Sequence, residues 1–111
     1  MATPSDMPAA APVPPLELAA YQEGAVVSRT LLKRAGGTLT LFAFDEGQAL
    51  SEHTAPFDAV AHVLEGEADV TIAGAPLRVP AGEMVLMPAN QPHAIHARTR
   101  FKMLLTMIRS V

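Results

Sequence analysis

Two histidines, His53 and His93, are the residues of this chain best placed to do chemistry. Each stands where a strand-like run meets a turn, the first in residues 47–66 (GQALSEHTAPFDAVAHVLEG) and the second in residues 82–93 (GEMVLMPANQPH). Neutral imidazole ligates first-row metals and also exchanges hydrogen bonds with small molecules. The run between the two stretches reads as a hairpin that brings them together in space. Pro92 fixes the backbone just ahead of His93 and so pre-sets its direction, as it would in any tight turn.

Two further histidines are expected to stay out of such a centre. If Ala59 faces inward, so do Ala61 and Val63, and His62 then points outward with Val60 and Leu64. His96 lies an odd step from His93 and opposes it by the same parity. Glu52 points away from its neighbour His53. Asp58 faces the centre only if a bulge at Pro56 reorients it.

The elements that must position these residues are strands. Residues 26–32 are apolar and partly β-branched, Gly36 and Gly37 form a turn, and residues 38–44 (TLTLFAF) alternate strictly. Further strands are expected over residues 58–64, 68–72, 77–79, 83–87, 93–97 and 102–108, with a short segment ending near Thr54. Residues 73–75 close a hairpin, and residues 88–92 form a turn. Nine or ten short strands at this spacing predict an all-β double-sheet barrel. Residues 16–24 (LELAAYQEG) are ambiguous and allow one or two helical turns ended by Gly24. Residues 1–15, rich in alanine and proline, are expected to be a flexible or extended tail, with the barrel domain over residues 16–111.

Composition narrows the function classes. With 111 residues, 50% of them apolar, the chain is one domain with ample core material. A net charge of -3 argues against a nucleic-acid partner. No apolar run is long enough to span a bilayer, and the first residues lack the basic and apolar regions of a secretory signal, so no membrane partner and a cytoplasmic location are expected. There are no cysteines, which removes thiolate metal sites and disulfides. Arg29, Lys33, Arg34, Arg98, Arg100, Lys102 and Arg109 are scattered and read as solvated faces. Phe44, Phe57, Met84, Met87, Met103 and Met107 read as core or interface packing.

The punctuation of the two stretches resembles that of a small single-domain cupin, of the RmlC-like barrel type. The first cupin motif reads G-x5-H-x-H-x3,4-E-x6-G, and Gly47, His53 and Gly66 fall in register with it. The second reads G-x5-P-x-G-x2-H-x3-N, and Gly82, Pro88 and His93 fit it. Departures are at the would-be ligands: Ala55 and Ala59 replace a histidine and a glutamate, Asn90 a glycine and Ala97 an asparagine. The resemblance implies a double-stranded β-helix or jelly-roll barrel and a homodimer, the latter in agreement with apolar residues on both faces of residues 38–44. It also implies a site for one divalent transition metal, of which only His53 and His93 remain as ligands, so any metal would be weakly held. Two functions are expected from this. One is a metal-free module that binds a small-molecule ligand in the barrel mouth, in a pocket lined by Ala55, Phe57, Ala59, Ala61 and the two histidines. The other is a metal-dependent dioxygenase or isomerase acting on a small organic acid or quinol-like substrate through His53 and His93. The missing ligands favour the first.

Overall fold

The computed structural model describes residues 6–109. Nine strands follow one another: β1 Val26–Arg34, β2 Gly37–Phe44, β3 Ala49–His53, β4 Asp58–Glu65, β5 Glu67–Ile72, β6 Ala75–Pro80, β7 Met84–Met87, β8 His93–Ala97 and β9 Phe101–Ile108. They form two sheets, a five-stranded one in the order β1-β2-β9-β4-β7 and a four-stranded one in the order β3-β8-β5-β6, and every pairing is antiparallel. The all-β jelly-roll architecture expected from the alternation is therefore present. No helix among the described residues is long and apolar enough to cross a membrane.

Strand alternation builds the core between the sheets. Phe44, Ala59, Ala61, Val63, Val70, Met87, Ile95, Phe101 and Met103 are all buried there. Phe44 lies opposite Phe101 across the β2–β9 ladder, and their rings stack with centroids 4.4 Å apart. These large rings fill one end of the sandwich. The other end, where β3, β4 and β8 meet their turns, stays open.

The segment before β1 is not the helix allowed by its sequence. Only Pro15–Glu17 form a single 3-10 turn, with Pro14 ahead of it in an extended conformation. Of the expected tail, residues 1–5 lie outside the described residues. From Asp6 onward the chain is tied down across the outer face of the five-stranded sheet. The Met7 N–H donates to the Leu31 carbonyl at 2.8 Å. Lys102, only 8% exposed, reaches from β9 to the Leu16 carbonyl at 2.5 Å. Met7, Leu18, Ala19 and Tyr21 pack on Leu31, Leu39, Leu41 and Ala43. The apolar outer face of β2, which suggested a partner subunit, is thus covered by the chain itself. Met84, Leu86 and Ile108 remain exposed on the uncovered part of the same sheet.

Tyr21 fastens this strap through its hydroxyl, which donates to Glu65 Oε2 at 2.6 Å. Burial, then the Glu65 carboxylate, push the phenol well above its ordinary value. A raised folded-state value means that the protonated hydroxyl stabilises fully below about pH 10, and that this contribution is lost as pH climbs beyond it. Tyr21→Phe is expected to lower stability by about 1 kcal/mol at neutral pH. The gap between native and variant urea midpoints should shrink above pH 10; a gap that stays constant there rules out the phenol as its origin.

Candidate functional site

The two histidines meet at the open end because of a local irregularity. Ala49 pairs with His96 and Leu50 with Ile95, but the register then slips and His53 faces His93. One extra residue in β3 inverts the parity that follows it, and so turns His53 to the face that Leu50 and Ile95 share. The ring centroids lie 4.4 Å apart, edge to face at 67°. His93 is buried at 6% exposure, whereas His53 lies at the rim.

Each imidazole is oriented by the carbonyl two residues before it. His53 Nδ1 is 2.8 Å from Ser51 O, and His93 Nδ1 is 3.2 Å from Gln91 O. A carbonyl only accepts, so each Nδ1 carries a hydrogen, and in the neutral form of the ring the lone pair is then on Nε2. The turns that carry the histidines are tied together. Asn90 adopts a positive φ of 64°, which Asn tolerates better than most residues, in the slot of the motif glycine. Its N–H donates to Ala55 O at 2.7 Å, and the Ala89 N–H donates to Asp58 Oδ1 at 2.9 Å. Asp58 is therefore a turn tie and does not enter the site.

Beneath the histidines lies a cavity of about 150 Å³. Ala55, Phe57 and Ala59 line it, as the sequence predicts, together with Leu50, Met87, Ile95, Leu105 and Met107. Ala61 does not line it. It is the next inward position of β4, 1% exposed and opposite Leu105, and it is packed into the core. The additional wall residues all alternate inward in their strands, so parity alone could have found them. His62 and His96 face away; His96 Nδ1 is 3.7 Å from Asp69 on the outside of the four-stranded sheet.

The donor set does not fit a tightly held metal. Protein sites for first-row metals supply three or more ligands. Among the described residues no group of three or more His, Cys, Asp or Glu side chains converges. Alanine at positions 55 and 59 offers no side-chain lone pair. What the arrangement provides is an apolar hollow with two hydrogen-bond acceptors at its mouth.

A jelly-roll barrel with a histidine pair at its open end and glycine turns around it defines the cupin class. The cupin-domain family model matches residues 40–109, from β2 to the end of β9, and the chain belongs to that family. A conserved protein of unknown function from Streptococcus pyogenes superposes with a TM-score of 0.90 at 32% identity, over 96% of this chain and 93% of its own. A cupin superfamily protein from Desulfitobacterium hafniense gives 0.88 at 28% identity, over 95% of this chain and 96% of its own. A predicted oxalate decarboxylase from Thermotoga maritima shares the fold alone, with a TM-score of 0.73 at 17% identity over 77% of this chain and 81% of its own. No curated protein matches the sequence.

Proposed function

We propose that the protein binds a small, largely apolar molecule in the barrel cavity without a tightly held metal. The carrying observation is the wall itself, in which eight apolar side chains surround the histidine pair. An apolar cavity of about 150 Å³ accepts a ligand of benzene size. The two Nε2 lone pairs would each accept a hydrogen bond, which favours a ligand bearing a hydroxyl. Such a site is concave and mostly apolar with few polar groups, the pattern of small-molecule pockets.

Phenol is a suitable probe. Ala55→Leu adds three carbons to a half-buried position on the cavity wall. The variant is expected to bind phenol at least about tenfold more weakly while melting no lower than the native protein, because filling a cavity stabilises. Calorimetric titration checks this; equal phenol affinity in both proteins would place the ligand elsewhere.

A further inference from the structure

A smaller crevice opens beside the cavity. It holds about 20 Å³ and is lined by Gly37, Thr38, Phe57, Met107 and Arg109. Phe57 and Met107 line both spaces, which are therefore adjacent. A space of that size takes about one water or one end of a longer molecule.

Its polar groups are donors without acceptors. Phe101, Met103, Leu105 and Met107 face inward along β9, and Arg109 is the next residue of that parity. The Arg109 N–H donates to Gly36 O at 2.9 Å, so the ladder that fixes the alternation runs on past Ile108. The guanidinium lies 6.0 Å from the Phe57 ring centroid. Arg34, Arg98 and Arg100 each have a carboxylate partner, whereas no described carboxylate pairs with Arg109. Thr38 stands opposite Met107 in the β2–β9 register and shares its inward face. Its Oγ1 is buried and has no hydrogen-bond partner among the described residues. Leaving a buried hydroxyl unpaired costs free energy that a ligand oxygen would recover.

We propose that Arg109 and Thr38 form an anion subsite and that the occupant of the barrel is a small apolar monocarboxylate. This inference rests on the cavity reading and adds the ligand's charge and orientation. A carboxylate only accepts hydrogen bonds, so it matches the guanidinium and the threonine hydroxyl and not the two imidazole lone pairs. The apolar body then fills the cavity with the carboxylate directed past Phe57 and Met107 into the crevice. Phe57 precedes β4 and Met107 is an unbranched side chain, so both can yield to a ligand that spans the two spaces.

Calorimetric titration of the full chain with benzoate and with its neutral analogue benzamide, at matched ionic strength, tests the proposal. Native protein is expected to prefer benzoate by about tenfold. Arg109→Met should abolish the preference by weakening benzoate far more than benzamide, with the melting temperature unchanged, since Arg109 is exposed. Thr38→Val, which removes the hydroxyl and keeps the shape, should weaken benzoate more than benzamide. Equal binding of the two probes by native protein, or a benzoate preference that survives Arg109→Met, overturns the subsite and leaves the cavity reading standing. Failure of benzoate, benzamide and phenol alike to bind overturns both.

Discussion

Replacing Gly66 with alanine is expected to destabilise the protein by roughly 3–5 kcal/mol, a fall in melting temperature of about 15 °C. Two causes add. Gly66 sits at φ +76°, a conformation that side chains rarely adopt. A Cβ there would also overlap the Arg100 carbonyl oxygen and lie 2.9 Å from Phe101 Cα. Neither is the far end of a flexible side chain, and Phe101 is held by its stack on Phe44. The start of β9 would have to shift as a unit. Gly47 supplies the control, with φ +83° and no atom within 4 Å of the point where an alanine Cβ would stand. Gly47→Ala is therefore expected to cost only about 1–2 kcal/mol. Thermal melts of both variants check the contrast; equal losses would mean that backbone conformation and not the close approach to β9 makes the glycine necessary.

The double variant Ala55→His with Ala59→His is expected to raise affinity for Ni²⁺ or Co²⁺ by at least about 10²-fold over the native chain. Residues that merely orient a metal ligand already change affinity by about 10–100-fold, so two added direct ligands should do more. Ala55, Ala59, His53 and His93 line one cavity, and its volume of about 150 Å³ leaves room for further imidazoles. The Nδ1 hydrogen bonds of His53 and His93 leave their Nε2 atoms available as donors of lone pairs. Competition against a chromophoric chelator gives the affinity, and adding His93→Ala to the double variant should remove most of the gain. No gain in the double variant would show that the four positions do not converge.

Much of this architecture is legible in the sequence because a half-buried strand writes its own parity. Residues 38–44 alternate, and the structure places Phe42 and Phe44 in the core and Leu41 and Ala43 under the strap. Glycine and proline spacing likewise locates the turns that frame the site. Three features escape such reading. The extra residue between Leu50 and His53 reverses a parity and has no local marker, since neither glycine nor proline stands there. The strap depends on contacts between residues far apart, such as Lys102 with Leu16, that no window of sequence contains. Arg109 is exposed, as expected of a solvated charge, but its place beside the crevice shows only once β9 is known to keep its ladder past Ile108; extending the alternation of Met103, Leu105 and Met107 by one step would have found it. Asn90 is the converse case, because its tolerance of positive φ lets the motif turn survive without its glycine.

The place of β9 in the five-stranded sheet has a consequence for how the molecule is made. β9 follows all the other strands in sequence, yet it lies between β2 and β4. A chain emerging from the ribosome can form the β1–β2 and β5–β6 hairpins early, but the larger sheet has a gap at its centre until residues 101–108 arrive. Closure of that gap joins segments about sixty residues apart, which makes it slow by the usual relation between folding rate and contact separation. Until then the facing edges of β2 and β4 are unpaired, and interruption of synthesis before β9 leaves an aggregation-prone intermediate. The same strand brings Leu105 and Met107 to the cavity wall, so the cavity and the folded state come into being in one step.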